Sequence, residues 1–74
     1  MTAPQISCAP ALRPDQARVA ACIPQGSRVL DVGCGGGALL HWLAEHRGVT
    51  AHGIELSQDG VNECVRKGLA VVQG

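Results

Sequence analysis

Asp31 stands two residues ahead of the first glycine in the run Val29-Leu-Asp-Val-Gly-Cys-Gly-Gly-Gly-Ala-Leu-Leu40, where four of the five positions from 33 to 37 are glycine. Glycines directly after an apolar run let a ligand approach main-chain N–H groups, and a helix starting behind them adds a positive dipole end. That arrangement suits a nucleotide-like cofactor. The dinucleotide pattern G-x-G-x-x-G/A is met by Gly33, Gly35 and Ala38, with Glu55 near the distance at which an acid reaches a ribose. Asp31 argues for a different ligand. A carboxylate at that position repels a docking diphosphate and attracts a cofactor that carries a cationic amino group.

The elements that position these residues are legible around them. Residues 1–12 hold prolines and small side chains without periodicity and read as a loose arm ahead of a domain over 13–74. Arg13-Pro14-Asp15 opens a helix whose first turn tolerates proline and favours an acid, and the helix must end before Pro24. Pro24-Gln25-Gly26-Ser27 is a turn. Arg28 to Val32 is a short strand, apolar on both faces.

After the glycines, Leu39, Trp42, Leu43 and His46 fall at helical spacing, and this second helix closes at Gly48. Val49 to Glu55 returns to strand character. Ser57 caps a third helix with Asp59 in its first turn, Val61, Cys64 and Val65 on its inner face, and Gly68 as its exit. Leu69 to Gln73 is the last strand. A helix followed by β-α-β-α-β with short connections predicts an α/β fold with a parallel sheet.

Handedness adds a consequence. Right-handed crossovers between strands that step in one direction put both helices on the same face of the sheet. The other face then presents Val, Leu and Ile side chains to water over an area that soluble monomers rarely leave open. Because the sequence also stops at the end of a strand, it reads as the N-terminal part of a larger domain, with self-association through the bare face expected of the piece alone.

Composition narrows the function. Six basic and six acidic residues cancel, and Trp42 is the only aromatic residue, so neither a basic face nor a stacking platform exists for nucleic acid. No segment approaches the ~20 apolar residues of a membrane span, and the start lacks the basic and apolar regions of a secretory leader. Cys8, Cys22, Cys34 and Cys64 form no C-x-x-C pair and read as reduced thiols, which places the protein in the cytoplasm. His41, His46 and His52 show no metal-ligand spacing. Cys34 near a helix start could favour a thiolate, but no histidine is placed to serve it, so it reads as a small packing residue.

Asp31-x-Gly33-x-Gly35-x-Gly37 resembles motif I of the class I S-adenosylmethionine-dependent methyltransferases. The resemblance implies a Rossmann-like fold in which Asp31 and the loop backbone hold the methionyl end and Glu55 the ribose hydroxyls. The cofactor-binding set it implies is Asp31, Gly33, Cys34, Gly35, Gly37, Glu55 and Leu56, with no catalytic residue assigned.

Leu12-Arg-Pro-Asp15, Gly26-Ser-Arg-Val-Leu-Asp-Val-Gly-Cys-Gly35, Leu39-Leu40 with Trp42-Leu43, Gly53-Ile-Glu55, Gln58-Asp-Gly-Val61 and Arg66-Lys-Gly-Leu69 are similar to the start of the MetW family of methionine biosynthesis. Members of that family are methyltransferase-like proteins found alongside a homoserine O-acyltransferase, which the resemblance makes the expected partner. Gly36 and Ala38 stand where that family commonly has an acidic and a polar residue, and Ser57 where it has an acid, so the loop here is less polar. An oxidoreductase using a nicotinamide cofactor and a noncatalytic regulatory partner are the two other readings. The acceptor site belongs to strands beyond the last one present, so the chain alone is expected to be inactive.

Overall fold

The computed structural model describes residues 12–74. The arm expected over 1–12 lies outside the described residues except for Leu12, which packs against the core.

Helix α1 spans Pro14–Ala21. Pro14 occupies a first-turn position where a missing N–H costs nothing, and the Arg13 N–H donates to Gln16 Oε1 at 3.1 Å. Its end comes where expected: the N–H groups of Cys22 and Ile23 bond back to Val19 and Ala20, and Pro24 forbids another helical turn. The turn that follows is braced by Ser27 Oγ donating to the Pro24 carbonyl at 2.6 Å and by Arg47 Nη1 donating to the Ile23 carbonyl at 2.9 Å.

Strand β1 covers Arg28–Val32, α2 Ala38–Arg47, β2 Thr50–Glu55, α3 Gln58–Arg66 and β3 Ala70–Gln73. All strands are parallel in the order β1-β2-β3, with Asp31 opposite Gly53 and Glu55 opposite Gln73. Two boundaries differ from expectation. Val49 precedes β2, because the chain is still leaving α2 through Gly48; the first ladder contact is the Thr50 N–H to the Ser27 carbonyl at 2.9 Å. Leu69 precedes β3, because its N–H bonds to the Cys64 carbonyl and finishes the exit from α3.

The strands step one way, so α2 and α3 cover one face. Ala20 of α1, Leu43 of α2 and Val49 form the buried cluster, with Val29 and Ala51 of the sheet, Leu39 and Trp42 packed around it. Leu40 and Cys64 are wholly buried, Leu40 beside Gly53 of the middle strand and Cys64 beside Gly37. The opposite face is open: Leu30, Val32 and Val72 are 61%, 73% and 62% exposed.

Val65 corrects the expected inner face of α3. It is 58% exposed, whereas Val61 and Cys64 are buried. The physical reason is that α3 lies against β3, the edge strand, so among the described residues the flank of the helix carrying Val65 has no further strand to pack on.

Candidate functional site

Period-2 alternation along β1 puts Val29 and Asp31 on the helix-covered face and Leu30 and Val32 on the open one. Asp31 therefore sits at the C-terminal end of β1, under the glycine loop. It opens onto a cavity of about 520 Å³, with Gly33, Cys34, Gly35 and Gly36 on one wall and Arg13, Gln16 and Val19 of the α1 end on the other. No donor among the described residues reaches its carboxylate. Burial without a partner pushes its pKa above the ordinary 3.8.

The loop that faces it is held from behind. The N–H groups of Gly33 and Cys34 both donate to the Ile54 carbonyl, at 2.7 and 3.3 Å, and the Gly35 N–H donates to Glu55 Oε1 at 2.7 Å. The other oxygen of Glu55 accepts the Ser57 N–H at 2.8 Å. These two bonds, that from Ser57 first and that from Gly35 second, hold the Glu55 carboxyl below its usual range. Lys67 Nζ completes the bracing by donating to the Gly36 carbonyl at 2.7 Å. The N–H groups of Gly36, Ala38 and Leu39 are left without an acceptor among the described residues, and all three residues line the cavity.

Gly37 caps α2 in the left-handed conformation at φ 85° and is buried. A Cβ there would stand 2.7 Å from Leu69 Cδ1 and 2.8 Å from Cys64 Sγ, so this glycine lets the loop sit on α3. Cys34 points the same way. Its Sγ lies 3.9 Å from that of Cys64, and burial first, then the Cys64 thiol, push its pKa to about 11. A protonated thiol in that setting packs; it does not attack.

The structure thus gathers Asp31, Gly33, Cys34 and Gly35 on the cavity, sets Glu55 behind the loop, and keeps Gly37 inside. Leu56 is 77% exposed beside Glu55, its carbonyl accepting from Gln73 Nε2 at 3.0 Å.

Three residues support the loop in a way their sequence setting does not show: Gly53, Gly60 and Lys67. A Cβ on Gly60 would lie 2.9 Å from both Glu55 Cγ and the Gly35 carbonyl oxygen, so α3 carries glycine in its first turn to let the acid and the loop approach. On Gly53 it would meet Cys34 Sγ at 2.8 Å and Leu40 Cδ1 at 2.9 Å. A glycine in a helix pattern five residues after the acid was the available signal for Gly60. The sequence places Lys67 at the end of the third helix, with no sign that it reaches the glycine loop. Among the described residues no cluster of three or more His, Cys, Asp or Glu could hold a metal, and no helix is long and apolar enough to cross a membrane.

A helix followed by a parallel β-α-β-α-β sheet, with an acid ending the first strand before a glycine loop, defines the N-terminal part of a Rossmann-like methyltransferase fold. Solved structures agree. The chain is 27% identical to a TehB-like SAM-dependent methyltransferase of Corynebacterium glutamicum, at a TM-score of 0.70 over 80% of this chain and 33% of that one. It is 32% identical to a SAM-dependent methyltransferase of Thiobacillus denitrificans solved with S-adenosyl-L-homocysteine, at 0.65 over 84% and 29%. It is also 32% identical to SAM-bound CalS10, an amino pentose methyltransferase of Micromonospora echinaspora, at 0.63 over 81% and 28%. The chain thus spans about three tenths of the length of these proteins. It belongs to the MetW family, described as methionine biosynthesis protein MetW, whose model matches residues 13–74. No curated protein sequence matches significantly.

Proposed function

We propose that the chain is the cofactor-binding part of an S-adenosylmethionine-dependent, methyltransferase-like protein of methionine biosynthesis. The observation that carries this is the Asp31 carboxylate, half-buried on the cavity without a partner among the described residues, while Glu55 on the neighbouring strand is tied to the loop. A lone acid in that place wants a cation, and the free N–H groups of the loop offer hydrogen bonds beside it. The residues therefore fit a ligand with an ammonium group.

Bound S-adenosylmethionine supplies a sulfonium-activated methyl group. Asp31 would hold the ammonium of its methionyl end, Gly33 and Gly35 would bring main chain close to it, and Glu55 would reach the ribose hydroxyls. Each oxygen of Glu55 accepts one N–H and keeps a further lone pair for a hydroxyl. Positioning of the methyl group is what this arrangement can contribute to transfer.

Family membership supports a place in methionine biosynthesis; a homoserine O-acyltransferase as partner and a cytoplasmic setting are part of the proposal, the first from the resemblance alone and the second from the scattered cysteines. A purely regulatory role toward that enzyme is the second reading, and Asp31→Ala separates the two: a regulator would keep its effect on acyltransferase activity without the acid. A nicotinamide-binding role is disfavoured by Asp31, which faces the place a diphosphate would dock.

Calorimetric titration of the protein with S-adenosylmethionine and, separately, with NAD tests the proposal. Heat with the first that disappears in Asp31→Ala is expected. No heat with it, or equal binding by the variant, overturns the reading.

A further inference from the structure

The cavity under the glycine loop carries charge of both signs. Asp31 stands on its sheet side, and Arg13, the only cation on its lining among the described residues, stands on its α1 side. Asp15 and Gln16 share that wall. In the free protein the Arg13 guanidinium is occupied: Nε lies 3.3 Å from Asp15 Oδ1 and Nη2 lies 3.5 Å from Oδ2. Both side chains are largely exposed, 70% and 74%, and an exposed pair two residues apart with long bonds is easily exchanged for another anion.

An α-amino acid end carries an ammonium and a carboxylate on one carbon. Asp31 answers the first. The second needs a cation or a set of donors on the facing wall, and the residue there with a planar fork suited to a carboxylate is Arg13. The first turn of α1 adds its positive end at the same place.

We propose that Arg13 is the carboxylate-binding residue of this pocket and that Asp15 is its internal placeholder, displaced when the amino-acid end of the ligand enters. This rests on the S-adenosylmethionine reading above and deepens it. The pocket then selects zwitterionic ligands over ones that carry only the adenosine and sulfur, and Asp15 sets how much affinity is held back.

Two probes separate the ends of the ligand: S-adenosylhomocysteine, which keeps the amino-acid end, and 5′-methylthioadenosine, which lacks it. Calorimetry with the protein is expected to show Arg13→Gln weakening the first by about tenfold and leaving the second unchanged, with Arg13→Lys in between. Asp15→Asn is expected to tighten the first by up to about fivefold, again without effect on the second. Unchanged methylthioadenosine binding reports that each variant is folded.

If Arg13→Gln weakens both probes equally or neither, or if Asp15→Asn does not tighten the first, the proposal is overturned. In the case of no effect the carboxylate belongs to the free N–H groups of Ala38 and Leu39. A protein that binds neither probe overturns the cofactor reading itself, and this inference with it.

Discussion

The Gly35 N–H donates to Glu55 Oε1 at 2.7 Å, and this bond joins the loop after β1 to the end of β2. The acid assigned to the ligand thus also shapes the loop that receives the ligand. Glu55→Gln keeps the size and removes one acceptor, turning an NH₂ toward a main-chain donor. The expected result is a lower melting temperature and about tenfold weaker S-adenosylmethionine binding, measured by thermal melting and calorimetry. The pH dependence has a definite sign. The folded carboxyl lies below its ordinary 4.5, so its contribution is complete above that value and lost as pH falls through the lowered one. The gap in melting temperature between wild type and variant should therefore be widest at neutral pH and close in acid.

Asp31 works in the opposite direction. Burial raises its folded pKa above 3.8, so the ionised form is disfavoured in the fold at neutral pH, and the native state gains stability as pH falls through the raised value. Asp31→Asn should melt higher than wild type at pH 7, with the difference vanishing below the ordinary value. The same variant should lose S-adenosylmethionine affinity by about tenfold or more. A variant that is both less stable and still able to bind would contradict the assignment.

Gly36 and Gly37 are neighbours with different reasons for being glycine. At Gly37 a methyl group meets Leu69 and Cys64 below 3.0 Å and the backbone is left-handed, so Gly37→Ala should cost about 2–4 kcal/mol in denaturant unfolding. At Gly36 the nearest atom is Glu63 Cγ at 3.4 Å, the end of a flexible side chain, and Gly36→Ala should change stability by less than about 0.5 kcal/mol.

This contrast shows where sequence reading stops. The strands and helices were legible because apolar period, Pro24, Ser57, Gly48 and Gly68 all act locally. The places of Asp31 and Glu55, near the ends of β1 and β2, were legible because a charge closing an apolar strand stands out from its neighbours. The roles of Gly60, Gly53 and Lys67 were not, since they depend on which side chain crosses from another element. Val65 was misread for the same reason: its exposure follows from β3 being the edge strand, a tertiary fact that helical spacing does not contain.

The thiols give a chemical check. Cys34, with its pKa near 11, should alkylate at pH 8 about a hundredfold more slowly than an ordinary thiol near 9, and more slowly than the exposed Cys22, which reagent reaches directly. Mass spectrometry of iodoacetamide-treated protein over time resolves the two. Fast labelling of Cys34 would place its thiol outside the packing against Cys64.

The open face of the sheet carries the largest unmet demand in the fold. Leu30 and Val32 of β1 and Val72 of β3 are each more than half exposed, and Ile54 lies between them on β2. A flat apolar surface of this kind is removed from water by whatever can cover it, and in a solution of the isolated 74-residue chain the available cover is another copy. Sedimentation should show association that grows with concentration, and melting should be broad. Replacing Leu30 and Val72 by lysine leaves the helix-covered core untouched and places charges on the open side, so association should fall without loss of helical circular dichroism. A sharply melting monomer of the unsubstituted chain would show that the exposed strand residues find cover within the chain itself.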